Sequence, residues 1–588
     1  MDEPAVRSLT SKVEAAVSGA IDRALPDLAG ADPVVRRSEH ADFQSNAALA
    51  LAKRARSKPA EVATAVSGAL RAERGGLIDE VTLAGPGFLN ITIADRAIWD
   101  QVGARLAGPR LGIGTPERGR RTVVDYSGPN IAKEMHVGHL RTTIIGDALV
   151  RLLGFLGAEV LRQNHLGDWG TQFGMLIEYI DEHPELSWRH DQLTEGTSTV
   201  SALDGLYRAA RAAFDTDLGF ADRARSRVVA LQAGDAATVA RWGEIVTESE
   251  FAFRQIYDRL GVLLEPEDSA GESFYNPWLS EVVDELTAAG IAVESDGALV
   301  VYSQEVTGPD GNPVILMLRK SDGGYGYDTT DLATIRYRTQ VLKADRLLYV
   351  HDSRQALHFR LIFEAARRAG WLTDGIEVTH AMFGTVLGPN GKPFKTRSGD
   401  TVKLMDLLDA AVDKARATVE EKGHDLTEAE LDRIAEQAGI GAVKYADLST
   451  SRTKDYIFDV ERMVSFAGNT GVYLQYAHAR ICSILTRAGD ASAEIDPTLP
   501  LHPAERTLVL ELDAFGDVLA EVGQVLEPHR LCGYLYELAR AFTGFYEACP
   551  VLPAEPPVRA NRLALCHLAA DTLRQGLGLL GIAAPERM

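Results

Sequence analysis

The chain has little cysteine, no long apolar run and a deficit of basic residues. Its four cysteines, Cys482, Cys532, Cys549 and Cys566, are scattered through the last quarter of 588 residues without C-x-x-C spacing. Neither a disulfide framework nor a zinc site is implied. No segment reaches a membrane-spanning apolar length, and Met1-Asp-Glu-Pro-Ala-Val-Arg7 lacks the basic start and apolar core of a secretory signal. The expectation is a cytoplasmic protein with no membrane partner. Lysine and arginine total 61 against 83 aspartate and glutamate, a net charge of −22. Such a surface argues against coating nucleic acid non-specifically, but leaves room for RNA docked on local basic stripes while the rest repels wrong poses. There is no internal repeat and no low-complexity tract.

A chain of this length exceeds what one hydrophobic core organises, and about three or four domains are expected. Residues 1–112 begin with helical patterning, pass a basic stretch, Ala52-Lys-Arg-Ala-Arg-Ser-Lys-Pro59, and end in a turn and strand, Gly85-Pro-Gly-Phe-Leu-Asn-Ile-Thr-Ile93. This reads as a small α+β domain. Within 113–425, the stretches Thr122–Tyr126, Glu159–Gln163, Arg346–Val350 and Ala381–Leu387 read as strands, each followed by a polar turn, alternating with helices. The pattern predicts a Rossmann-like parallel sheet whose site lies at the carboxyl ends of its strands. An insertion at about 185–320 is helical in its middle and closes in a hairpin around Gly308-Pro-Asp-Gly-Asn-Pro313. Residues 426–588 read as helical almost throughout, making the whole a multidomain α/β chain.

Most of the chemistry gathers in Asp125-Tyr-Ser-Gly-Pro-Asn-Ile-Ala-Lys-Glu-Met-His136-Val-Gly-His139 and the helical pattern that follows it. Val123 and Val124 approach as a strand, Pro129 breaks it, and Leu140, Ile144, Ile145 and Ala148 recur at helical spacing. His136 and His139 then share one face of the first helical turn, where free N–H groups and the helix dipole favour an anion. Gly138 lets a planar base approach the backbone, and Lys133 offers a cation for phosphate oxygens one turn earlier. Two polar residues capping an ordinary helix are the plainer alternative, but these neighbours favour a nucleotide-phosphate site.

Further polar turns fall where strands should end. Asn164-His-Leu-Gly-Asp168-Trp-Gly170-Thr171 reads either as a pocket wall or as a cap for the next helix. Tyr325-Gly-Tyr327-Asp-Thr-Thr-Asp331 presents a hydroxyl and a carboxylate four residues apart, although Asp328 and Asp331 equally suit a helix dipole. Tyr349-Val-His351-Asp-Ser-Arg-Gln355-Ala-Leu-His358 follows another strand. Leu387-Gly-Pro-Asn-Gly-Lys392-Pro-Phe-Lys395-Thr-Arg397-Ser-Gly399 is a tight turn followed by clustered cations. It is not a Walker loop, since Pro393 follows Lys392; a basic loop closing over a triphosphate fits better than a solvated turn.

In this order the motifs resemble the arginyl-tRNA synthetase family of the class I aminoacyl-tRNA synthetases. His136-Val-Gly-His139 is similar to the HIGH signature, and Lys392-Pro-Phe-Lys395-Thr to a divergent KMSKS loop with Pro-Phe in place of Met-Ser. Ser127–Lys133, His165–Gly170, Gly271-Glu-Ser-Phe-Tyr275, Gln355–Phe359, Lys444–Leu448, Tyr473–Arg480 and Pro585-Glu-Arg-Met588 extend the likeness nearly end to end.

The resemblance implies activation of L-arginine by ATP, with Mg²⁺ carried on the nucleotide, and transfer of the arginyl group to tRNA(Arg) by a monomer. It assigns ATP and catalysis to His136, Gly138, His139, Lys392 and Lys395, with Lys133 supplying charge that the irregular loop lacks. It assigns the guanidinium to Asp125, Tyr327 and Asp331, and the α-amino and carboxylate end of arginine to Asn130 and Gln355. For tRNA it implies elbow contacts from Phe88 and Asn90, and anticodon stacking on Tyr476 and Tyr546. Tyr473 is left open, since tyrosines at helical spacing are ordinarily core. Another class I specificity would use Asp125, Tyr327 and Asp331 poorly, and an inactive RNA-binding relative would have no need of His136, His139, Lys133 and Lys395.

Overall fold

The computed structural model describes residues 5–72, 76–193, 198–321, 323–388, 390–392, 402–421, 426–489 and 494–588. The chain divides into two compact units, one of Met1–Pro116, Phe466–Gly578 and Ala583–Met588, the other of Glu117–Ser465 and Leu579–Ile582.

In the first unit an antiparallel sheet runs in the order Val35–Arg37, Phe43–Ser45, Phe88–Ile93, Ile78–Ala84. Helix Leu9–Ala24 buries Leu9, Val13, Val17, Ala20 and Ile21, one stripe at three-and-four spacing. The basic stretch straddles two helices, Ala47–Ala55 ending at a left-handed Arg56 and Pro59–Arg71 beginning on its proline. Helices Gly471–Ala488, Pro503–Asp513, Phe515–Val525 and His529–Ala548 share this unit. Arg105 and Asp513 form a buried ion pair at 2.8 Å between its amino- and carboxyl-terminal parts. None of the four cysteines is in a disulfide.

The second unit is built on an all-parallel sheet of β1 (Arg121–Asp125), β2 (Glu159–Gln163), β3 (Arg346–Tyr349) and β4 (Glu377–His380), in the order β4-β3-β1-β2. The chain steps from β1 to β2 on one side and returns to β3 on the other, so a crevice opens between the carboxyl ends of β1 and β3. Asp125 stands in register with Tyr349 and Gln163 at that edge. Helix α1 (Val137–Phe155) follows β1 and buries Leu140, Ile144, Ile145 and Ala148, the face expected from their spacing. A Cβ on Gly146 would lie 2.3 Å from the Tyr126 Cβ, so only glycine lets α1 approach the end of β1 this closely.

The fourth strand corrects the expectation of Ala381–Leu387: it is Glu377–His380, and only Val386–Leu387 of the later stretch is extended, pairing with Tyr456–Ile457. The apolar content of 381–387 misled because those residues pack beyond the sheet, whereas Glu377–His380 occupies an edge and is polar. The expected hairpin is present as Ala298–Thr307 and Pro313–Arg319, joined by Ala292–Ser295 into a three-stranded antiparallel sheet.

Helices Leu404–Glu420 and Glu428–Leu448 pack together and against α1. From α1, the fully buried Arg141 reaches Asp447 at 3.3 Å and donates to the carbonyls of Gly384 and Lys454 at 3.0 and 2.8 Å. Among the described residues no helix is long and apolar enough to cross a membrane, and no group of three or more His, Cys, Asp or Glu is placed to hold a metal ion.

Gly146→Ala is expected to destabilise the fold by about 1–3 kcal/mol, the usual cost of overpacking, read as a lower midpoint in denaturant unfolding. An unchanged midpoint would show that α1 moves away from β1 freely.

Candidate active site

The turn leaving β1 is strained and fully bonded. Ser127 and Ala132 take left-handed φ of 71° and 61°, unusual for residues with a side chain. Ser127 N–H donates to Thr142 Oγ1 at 3.0 Å, its hydroxyl meets Tyr257 Oη at 2.7 Å, and Gly128 N–H donates to Asn164 Oδ1 at 3.0 Å. Ala132 N–H donates to Ser249 Oγ at 3.1 Å. Thr142 in turn donates to the Val350 carbonyl at 2.6 Å, tying α1 to the end of β3. These bonds hold the backbone where it points residues 127–139 into the crevice.

His136 is the N-cap of α1. Its Nδ1 accepts from Gly138 N–H at 3.0 Å, and His139 Nδ1 accepts from His136 N–H at 3.1 Å. Each ring therefore uses Nδ1 as an acceptor, which puts the proton of the neutral form on Nε2. The rings lie 4.1 Å apart between centroids, and a Cβ on Gly138 would sit 2.7 Å from the His136 ring. Burial, then the neighbouring His136, lowers the His139 pKa to about 3; burial also lowers that of His136. The pair is a set of neutral N–H donors at a helix start, suited to an oxyanion that gains charge.

The same cavity has an acidic lining. Burial would raise the Asp125 pKa, but Arg338 at 2.8 Å and His351 at 3.3 Å hold it well below the usual carboxylate range. Arg338, from helix α2 (Tyr327–Gln340), is fully buried and lies over the Tyr349 ring at 5.1 Å. Asp331, also on α2, has Oδ2 2.6 Å from His358 Nε2 and Oδ1 3.9 Å from His165 Nε2. Each carboxylate thus has Oδ2 held by a resident basic side chain and Oδ1 beside an imidazole. Glu272, between them and Asp168, is pushed up to about 7 by burial, then by the charges of Asp168 and Asp331.

The cavity has a volume of about 580 Å³, and Asp125, Asn130, His136, Gly138, His139, Tyr327, Asp331 and Gln355 all line it. A second cavity of about 860 Å³ shares Asn130, Glu272 and Tyr327 with it.

The model of the catalytic domain of class I tRNA synthetases of the arginine type matches residues 103–460. The chain belongs to the arginyl-tRNA synthetase family. The family's N-terminal domain model matches residues 9–93, and the DALR anticodon-binding domain model matches 474–588. The arginine–tRNA ligase of Frankia casuarinae is 76% identical over the full length of both chains. That of Streptomyces avermitilis is 52% identical, covering 99% of this chain and all of its own. Among solved structures, arginyl-tRNA synthetase from Plasmodium falciparum superposes with a TM-score of 0.82 at 29% identity, over all of both chains. The Thermus thermophilus arginyl-tRNA synthetase gives 0.80 at 26%, covering 99% of this chain and all of its own.

Other residues singled out from the family's motifs fall elsewhere. Lys133 does not line the cavity; its ammonium lies over the Tyr207 ring at 5.6 Å. Lys392 is exposed at the end of a tight turn in which Gly388 N–H donates to the Lys392 carbonyl at 2.8 Å. Lys395 and Arg397 lie outside the described residues. Where description resumes, Leu404 N–H donates to Met135 O at 3.0 Å and Lys403 pairs with Glu134 at 3.2 Å, joining the chain after the basic loop to the histidine motif. Phe88 is half-buried, and the buried Asn90 accepts from Gln44 Nε2 at 2.8 Å. Tyr476 is exposed with its ring edge-on to Phe466, Tyr546 lies under Arg480 at 4.3 Å, and Tyr473 packs near Tyr536.

Asp168 accepts from Ser273 N–H at 2.8 Å, so its carboxylate binds the Gly271–Tyr275 motif and does not cap the helix after it. Sequence reasoning missed Arg338, His351, His358 and Glu272 as site groups. His351 and His358 stood inside a stretch that follows a strand and Glu272 inside the Gly271–Tyr275 motif, which was the available signal; Arg338, whose partner Asp125 lies on another element, had none.

Imidazole ¹⁵N shifts are expected to show His139 neutral and protonated on Nε2 down to about pH 4, where a free histidine is charged. Because its folded pKa lies below the unfolded value, its burial costs stability progressively as pH falls through about 6.5 towards the folded value. A His139 that titrates near pH 6.5 would contradict this geometry.

Proposed function

We propose that the chain is an arginine–tRNA ligase, activating L-arginine with ATP to arginyl-adenylate and passing the arginyl group to the 3′-terminal ribose of tRNA(Arg), with release of pyrophosphate and AMP. The observation that carries this reading is a single cavity lined both by His136 and His139 and by Asp125 and Asp331. The first pair suits an α-phosphate and the second a guanidinium, a planar cation that carboxylates take in two-pronged fashion.

In the first step the arginine carboxylate attacks the α-phosphorus and pyrophosphate departs, so the protein acts by positioning and by stabilising charge. The Nε2–H groups of His136 and His139 donate to α-phosphate oxygens, while Gly138 leaves room for the adenine. Lys392 and Lys395 hold the β- and γ-phosphates, and Mg²⁺ arrives on the nucleotide, with phosphate oxygens among its ligands. Lys133 adds charge by leaving Tyr207, a contact worth about 0.5–1 kcal/mol at an exposed site and outweighed by a triphosphate. Asn130 and Gln355 hold the α-amino and carboxylate end of arginine, and Tyr327 flanks its side chain. In the second step the terminal ribose hydroxyl attacks the mixed anhydride and AMP leaves.

Residues 1–112 meet the tRNA elbow, with Phe88 and Asn90 near the contact; 113–425 carry the chemistry; and 426–588 read the stem and anticodon, with Tyr476 and Tyr546 stacking on bases. The enzyme works in the cytoplasm as a monomer.

Amino-acid-dependent exchange of pyrophosphate into ATP tests the reading. Exchange is expected with arginine alone, and little of it before tRNA(Arg) is added; exchange with lysine or leucine, or none at all, would contradict it. His139→Ala is expected to lower turnover by about two orders of magnitude with little change in arginine affinity. A rise in the arginine KM alone would reduce His139 to a supporting wall.

A further inference from the structure

His358, on helix α3 (Ala356–Arg368), sits between two carboxylates of α2: Nε2 is 2.6 Å from Asp331 Oδ2 and Nδ1 is 3.3 Å from Asp328 Oδ1. Nε2 is hydrogen-bonded to Asp331, whereas Nδ1 and Asp328 Oδ1 stand at ion-pairing distance only; two carboxylates this close favour the imidazolium. Asp328 is itself fixed, accepting from Met317 N–H at 2.7 Å. The other groups facing the cluster are the Tyr327 ring, with its centroid 5.4 Å from that of His358, His165 beyond Asp331, and Glu272, whose carboxyl feels the Asp331 charge.

We propose that His358 is the resident counter-cation of the guanidinium site, and that arginine binding expels its proton. The inference rests on the reading of Asp331 as a guanidinium acceptor. An arriving guanidinium and the imidazolium would share one carboxylate, and of the two cations only the imidazolium can give up its proton to solvent. His358 acts through Asp331 as a positioning residue: in the empty site it fixes the carboxylate, so Asp331 is neither unpaired nor free to turn away. A neutral analogue supplies no charge to replace the lost proton and must leave the Asp331–His358 pair intact. Selection of a permanent cation is thereby built into the empty pocket.

Burial alone would lower the His358 pKa, but the neighbouring Asp328 and Asp331 carboxylates raise it to about 9. The proton is therefore present at neutral pH and is lost as pH rises through that value. Below it, arginine must displace a proton, so affinity rises with pH by up to about tenfold per unit and levels off above it. Glu272, titrating near 7, is the other group whose ionisation a bound guanidinium favours.

Calorimetric titration of the full chain with L-arginine at about pH 7.5, in buffers of low and high ionisation enthalpy, counts the protons released. The wild type is expected to release close to one. Glu272→Gln is expected to keep most of that release, and His358→Gln to bind arginine with nearly none. Release well below half a proton from the wild type, or equal release from His358→Gln, would overturn the proposal. Should His358→Gln not fold, a wild-type affinity that stays flat across about pH 7–8.5 overturns it and a rising one supports it. Failure of the wild type to bind arginine at all would overturn the assignment of the cavity and this inference with it.

Discussion

The buried ion pair between Asp125 and Arg338 is the constraint on which the site depends. Asp125 ends the central strand and Arg338 comes from the helix that carries Tyr327 and Asp331, so one 2.8 Å contact sets the spacing of the acidic wall from the sheet. The guanidinium also covers the Tyr349 ring, which fastens the same helix to β3. Two groups this buried are costly as charges, and each is the other's nearest opposite charge. The chain thus holds the guanidinium of a helix residue against its sheet while Asp125 Oδ1, beside His351, lines the cavity.

A second economy follows at the opposite wall. An acidic pocket meant for a cation is unstable when empty, because its carboxylates repel one another and are short of water. Arg338 answers this for Asp125 and His358 for Asp331. The histidine pair shows the reverse logic: burial keeps His139 neutral, so it adds no fixed positive charge to the cavity. Lysines outside the cavity stand on separate segments, Lys392 on its turn and Lys133 on the strained loop.

Much of this was legible in the sequence because local rules govern it. The helix that begins at Val137 announces itself by the spacing of Leu140, Ile144, Ile145 and Ala148, and the paired histidines by their place at its start. Gly146 gave no such signal, since its need arises from Tyr126, twenty residues away and on a different element. The fourth strand was misplaced because an edge strand such as Glu-Val-Thr-His carries little apolar signal. The resident cations were invisible for a deeper reason. Arg338 and His358 act through contacts 213 and 27 residues distant along the chain, and pairing at that range is a property of the fold rather than of any local pattern.

The central claim, that Asp125 and Arg338 form one unit on which the site is built, is tested most directly by a double-mutant cycle. Asp125→Asn and Arg338→Met are each expected to cost about 3–5 kcal/mol in unfolding experiments, because each leaves a buried charge without its partner. The double substitution is expected to cost well under the sum of the two. Additive losses would contradict the account, showing that the two side chains support the fold independently.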